Sequence, residues 1–179
     1  KHIAKIAILL YYDNRRKCVI ISLGRCGRTV RTTQNISAQE SRFIMLKIII
    51  GVKGTGKTKT LVDMVNTTAE QSEGSVVCLE KGEKLRYDVT YKARLVNTDE
   101  YAISDGEELY GFVAGIHASN HDITHIFIDS ALKICRNNLA ELDGFVAEMA
   151  ALCDSHEIDV VMTCSLAESD ASEIVKKYC

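Results

Sequence analysis

From residue 45 onward, short apolar runs alternate with longer segments whose apolar residues recur at helical spacing. That is the pattern of a sheet with helices packed on it. The strand candidates are Leu46 to Ile50, Ser75 to Leu79, Ala93 to Val96, Ile123 to Ile128 and Asp159 to Met162. Most of these are continuously apolar rather than alternating, as strands covered on both faces are, so the central sheet is expected to be mainly parallel. Between them, Leu109, Phe112, Val113 and Ile116 form one i, i+3, i+4, i+7 stripe, and Ala171, Ile174, Val175 and Tyr178 form another. Further helices are expected over about Lys57 to Ala69 and Leu139 to Cys153. Capping pairs suited to helix starts are Ser104 with Glu107, Asn138 with Glu141 in a looser form, and Ser165 with Glu168. The expected fold class is α/β, a three-layer sandwich around a mainly parallel sheet.

Residues 1–44 break this rhythm. Ile6 to Tyr12 and Cys18 to Leu23 could pair as a hairpin across Asp13 to Lys17, while Gly24 to Ser41 is polar and basic with little periodicity. The segment holds nine Lys/Arg against two Asp/Glu, a net +7, whereas residues 45–179 hold thirteen against twenty-two, a net −9. The overall charge of −2 hides that asymmetry. A basic arm of this kind can attract a nucleic-acid backbone, but a poorly ordered extension is the expectation. Met45 directly precedes the first strand of the core, where a natural start is conceivable. Two parts are therefore expected: a basic N-terminal extension, 1–44, and a domain, 45–179.

The seven cysteines are scattered and odd in number, with no CxxC pair, which predicts reduced thiols in a cytoplasmic protein and no zinc site. Cys78 and Cys164 lie inside apolar runs, where cysteine packs as a small hydrophobe. The apolar run Ile6 to Tyr12 is too short to span a membrane and is followed by no small-residue cleavage site, so neither a membrane span nor a signal peptide is expected.

The segment MLKIIIGVKGTGKT carries the most specific chemistry. An apolar strand runs into Gly51, then four residues, then Gly56, Lys57 and Thr58, which fits GxxxxGK[ST] without a gap. Glycines let the main chain curl around phosphate oxygens so that its N–H groups can donate to them. The helix that follows adds roughly half a positive charge at its N-terminus. The phosphate-binding residues are expected to be Gly51, Gly54, Thr55, Gly56, Lys57, Thr58 and Lys59. Lys57 would reach the β- and γ-phosphates of a nucleoside triphosphate, and the Thr58 hydroxyl would ligate Mg²⁺. The plainer reading is a glycine-rich turn closing a strand-to-helix connection.

A phosphate loop of this type needs a carboxylate at the end of a neighbouring apolar strand to hold the metal, and Asp129 ends the run ITHIFID. Capping of the next segment is the alternative for Asp129. Ser130 stands where many related ATPases carry a water-orienting glutamate. Glu80, closing SVVCLE at the carboxyl edge of the second strand, could orient water instead, or be a solvent-exposed loop acid. Thr163 and Ser165 reach the same edge, with helix capping expected ahead of γ-phosphate sensing. Arg94 and Arg136 are candidates for stabilising transition-state charge, and surface positions serve them equally. His117, His121 and His125 recur every fourth residue, but Asn120 and Asp122 interrupt the helix between them, so solvated positions are expected rather than a metal site.

In this order of parts (phosphate loop, helix, strand ending in Glu80, strand ending in Asp129), the chain resembles the RecA-like branch of P-loop ATPases over most of residues 45–166. The resemblance implies that Glu80 acts as catalytic base beside Lys57, as the second-strand glutamate does in recombinase- and clock-protein-like members. It extends to secretion and twitching-motility ATPases, a label that small bacterial proteins of this look often carry. Departures are the missing motor-type N-terminal domain and acidic and histidine-containing segments, and the lack of recombinase-type DNA-binding loops between Asp129 and Asp159. Thymidine kinases resemble the core too, but their cysteine-rich zinc module has no counterpart within the sequence.

Three functions are therefore open. The first is an ATP-binding protein working as a Mg²⁺-dependent ATPase or ATP-driven switch, through a protein partner or as a homo-oligomer. The alternatives are a small-molecule kinase and a nucleotide-binding regulatory module that does not hydrolyse. No guanine-reading NKxD-type segment occurs, so adenine is the expected base.

Overall fold

The computed structural model describes residues 9–12, 18–21 and 45–179. The chain separates into two units, Lys1–Arg42 and Phe43–Cys179. In the first, β1 (Leu9–Tyr12) pairs antiparallel with β2 (Cys18–Ile21). The expected turn at Asp13 to Lys17 and the basic stretch Gly24 to Ser41 lie outside the described residues.

The second unit is an α/β sandwich. Its strands are β3 (Leu46–Gly51), β4 (Ser75–Glu80), β5 (Ala93–Asn97), β6 (Ile123–Ile128) and β7 (Asp159–Ser165). They form one sheet in the order β3-β7-β6-β4-β5, with every pairing parallel. The helices are α1 (Lys57–Gln71), α2 (Gly106–Ser119), α3 (Ala131–Ile134), α4 (Leu139–His156) and α5 (Glu173–Lys177).

Continuous apolar strands follow from two covered faces. On one side Leu61, Val62 and Val65 of α1 pack against Val76, Cys78, Phe127 and Val161. On the other, Leu109, Leu142, Phe145 and Met149 of α2 and α4 pack against Val77, Leu79, Ile126 and Val160. Neighbouring residues of one strand thus serve opposite layers, as the two-residue repeat of a strand requires. Among the described residues, no helix is long and apolar enough to cross a membrane.

Two capping assignments change. The start of α2 is capped by Asp105, whose Oδ1 accepts the Glu108 amide at 2.8 Å, and Glu108 Oε2 reaches back to the Ser104 amide at 2.7 Å. The box is therefore shifted one residue from Ser104 and Glu107. Ser165 caps no helix, because β7 extends through it and Gly51 bridges to Leu166 just beyond. The five-residue α5 starts later, with Ser172 accepting the Val175 amide. By contrast, Asn138 accepts the Ala140 amide and donates to Glu141 Oε1 at 2.9 Å.

The expectation of solvated histidines holds for His121 alone. His117 and His125 are buried. The His117 ring meets that of His156 edge-on at 4.8 Å, and burial, then the neighbouring His156 and His121, lower its pKa. His125 Nε2 lies 3.3 Å from Asp159 Oδ2. The described residues contain no group of three or more His, Cys, Asp or Glu able to hold a metal. Cys78 and Cys164 are buried, and burial pushes both thiols up to about 12.

Candidate functional site

Parallel strands end on one side of the sheet, and the registers decide which of their last residues become neighbours. Gly51 pairs with Ser165, Ile128 with Met162, and Leu79 with Ile128. The next residues, Thr163, Asp129 and Glu80, therefore stand side by side at the carboxyl edge, where open α/β sheets collect their ligands. The Asp129 amide donates to the Leu79 carbonyl at 2.8 Å and fixes that alignment.

At the edge strand β3 the chain turns through Gly51 to Thr58 into α1. Gly54 and Gly56 have φ of 90° and 81°, which favours glycine, and a Cβ at either would meet nothing within 4 Å. The start of α1 has no side-chain cap and no acidic residue in its first turn. The helix thereby leaves its N-terminal N–H groups and their partial positive charge to an outside anion.

Lys57 is buried, and its ammonium folds onto the loop itself. Its Nζ donates to the Gly51 carbonyl at 2.6 Å, the Val52 carbonyl at 2.8 Å and Thr55 Oγ1 at 3.3 Å. Thr55 Oγ1 in turn donates to the Val52 carbonyl at 2.9 Å, and Lys59 is exposed.

Asp129 is the centre of a hydroxyl network. Thr58 Oγ1 donates to its Oδ1 at 2.9 Å, Thr163 Oγ1 to the same oxygen at 2.8 Å, and Ser130 Oγ to Oδ2 at 2.9 Å. The Ser130 amide donates to Thr163 Oγ1 at 2.8 Å. Thr163 thus caps no helix of its own; it is buried and orients the carboxylate. Ser130 adopts φ 58°, a strained choice for a non-glycine residue that turns its hydroxyl back on Asp129.

Glu80 is 2% exposed, which overturns its reading as a solvent-exposed loop acid. Its Oε2 accepts the main-chain amides of Lys84 at 2.8 Å and Leu85 at 3.0 Å. Burial raises its pKa; the two amides oppose that shift, and nearby Asp129 and Glu83 add to it.

A cavity of about 470 Å³ opens beside the loop, within the size range of small-ligand sites. Lys53, Lys57, Thr58, Lys84, Lys133 and Thr163 are among its lining residues, and none of its described lining residues carries a carboxylate. Glu80 lines a separate hollow of about 570 Å³ together with Arg94. Arg136 is exposed and bonds to Ser104. The structure therefore gathers Gly54, Gly56, Lys57, Thr58 and Thr163 around one cavity with Asp129 beneath, and leaves Glu80, Arg94 and Arg136 off its wall.

No family model and no curated protein matches the sequence. Among solved structures, C. elegans PCH-2 is similar over 81% of this chain and 36% of that chain, with 11% identity and a TM-score of 0.46. The chain thus spans about a third of that protein's length.

Lys84 and Lys133 belong to no motif, yet they share a spacing. Each follows a strand-terminal carboxylate by four residues, Glu80 in EKGEK and Asp129 in DSALK.

Proposed function

We propose that the second unit binds a nucleoside triphosphate, with ATP the expected nucleotide and Mg²⁺ its metal, and works as an ATPase or ATP-driven switch. One observation carries the reading: the Thr58 hydroxyl meets the Asp129 carboxylate at 2.9 Å beside a cavity walled by lysines. Both groups are hard oxygen donors, the class that Mg²⁺ takes, and a metal bound mainly by phosphates and waters needs few protein ligands. When bound, the metal would neutralise charge between the β- and γ-phosphate oxygens. Thr58 and Asp129 would hold it, Lys57 would exchange the Gly51 and Val52 carbonyls for phosphate oxygens, and the amides from Gly54 to Lys59 would take the remaining oxygens. As a switch, the protein would act through a partner protein or a second copy of itself.

The test is a thermal-shift panel of nucleotides with and without Mg²⁺, because a ligand that binds the folded state alone raises the unfolding midpoint. A rise with ATP that grows with Mg²⁺ supports the reading; no rise with any nucleotide ends it.

Whether the nucleotide is hydrolysed turns on Glu80. In the ATPase reading it orients the attacking water, which requires its carboxylate to leave the Lys84 and Leu85 amides. The engagement of Oε2 by those amides favours the regulatory module as the second reading. Glu80→Gln is expected to lower phosphate release by roughly 100-fold if Glu80 is the base, a typical size for losing general-base assistance. An unchanged rate would remove Glu80 from the chemistry.

A further inference from the structure

Four lysines line the cavity, and they come from three separate segments. Lys53 and Lys57 belong to the loop between β3 and α1, whereas Lys84 follows β4 and Lys133 sits on α3 after β6. Four lysines and no carboxylate among the lining residues give this space an excess of positive charge, partly offset by Asp129 beneath it, which suits a polyanion. Lys57 and the open end of α1 belong to the phosphate loop itself, whereas Lys84 and Lys133 lie outside it. Neither Lys84 nor Lys133 has an ion-pair or side-chain hydrogen-bond partner among the described residues, so both ammonium groups are available to an incoming ligand.

We propose that Lys84 and Lys133 contact the terminal phosphate, so that the site holds a nucleoside triphosphate in preference to the diphosphate, with Glu80 as the positioning residue that sets Lys84. This rests on the triphosphate-binding reading and names its specificity. Thr58 and Asp129 would hold the metal, so the last phosphates of the nucleotide would lie at their end of the cavity. Lys133 follows Asp129 by four residues, and Lys84 follows by four the residue beside Asp129 at the sheet edge. The two extra lysines thus enter the cavity from the connections that follow β4 and β6, beside Asp129, and that is the end we assign to a third phosphate. Glu80 fixes Lys84 through the backbone: its Oε2 accepts the Lys84 amide at 2.8 Å, while the Lys84 side chain is left to the cavity.

The experiment is a calorimetric titration with ADP, ATP and the non-hydrolysable β,γ-imido triphosphate, at fixed ionic strength and Mg²⁺. The wild type is compared with Lys84→Met, Lys133→Met and their combination, which keep the aliphatic stem of exposed side chains. Each single variant is expected to bind triphosphate roughly 10-fold more weakly, as loss of one charge-assisted contact does, with ADP changed less than about twofold. Glu80→Ala should lose the preference as Lys84→Met does, while Glu80→Gln, whose amide oxygen still accepts a main-chain N–H, should keep most of it. A wild type that binds both nucleotides without preferring the triphosphate overturns the inference, as does a double variant with an unchanged ratio. Equal losses for ADP and ATP would also overturn it, since the lysines would then contact some other part of the nucleotide. A wild type that binds no nucleotide sinks the triphosphate reading itself.

Discussion

Lys57→Ala is expected to weaken ATP binding by roughly 100-fold while lowering the nucleotide-free unfolding midpoint by only a few degrees. The binding loss follows from removing a cation shared by two phosphates, worth about 3 kcal/mol at about 1.4 kcal/mol per tenfold. The small effect on the fold needs a separate argument, because Lys57 is not idle without nucleotide. Its ammonium holds the Gly51 and Val52 carbonyls and braces the loop. Val52 is 56% exposed, however, so water can reach the loop once the lysine is gone. A cost of about 1 kcal/mol corresponds to roughly 3 °C for a domain of this size. Calorimetry and thermal denaturation of the same variant measure both halves. Unchanged affinity would remove the phosphate-loop reading, and a fall of more than about 10 °C would recast Lys57 as a structural brace.

The sheet was legible because its strands are buried on both faces, and such strands write themselves as unbroken apolar runs. Ile123–Ile128 matches its expected bounds, and the other four strands start where expected and run one to three residues longer. Their extra residues are Gly51, Glu80, Asn97 and, on β7, Thr163 to Ser165, polar or small positions at the edge where the site lies. The hydrophobic pattern stops short of them, although the sequence already puts Glu80, Thr163 and Ser165 at that edge; pairing with neighbouring strands draws them into the sheet.

Caps and burial of polar groups were less legible for a related reason. Ser104 with Glu107 and Asp105 with Glu108 satisfy the same local rule, and the local pattern does not say that the second forms. His117 follows Ile116 directly, and it is buried because α4 brings His156 against it, which no local spacing reveals. The site divides in the same way. Gly51 to Thr58 is contiguous and therefore readable, and Asp129 is marked by its apolar strand. Lys84 and Lys133 join the cavity through the path of two connections that tertiary structure alone determines. The apolar run marks Glu80 at its strand end, whereas its depth and its hold on the following loop depend on tertiary structure.

Asp129 carries the largest expected effect on the fold and separates structure from metal chemistry. Asp129→Ala would strip the acceptor from three hydroxyls at once: that of Thr163, which is buried, of Ser130, which is half-buried, and of Thr58, which is exposed. Leaving the Thr163 hydroxyl unpaired and exchanging the other two bonds for water costs about 3 kcal/mol in total, which lowers the unfolding midpoint by roughly 10 °C in a domain of this size. Asp129→Asn keeps the shape and the Oδ1 acceptor but loses the negative charge, so its midpoint should fall by about a third as much. Metal dependence should respond in the opposite order of subtlety. In the wild type, ATP with Mg²⁺ should stabilise more than ATP with a chelator, and in Asp129→Asn that increment should vanish although the protein is folded. Because Thr58 still offers its hydroxyl in that variant, a retained Mg²⁺ increment would mean that the carboxylate serves only to tie β6, β7 and α1 together.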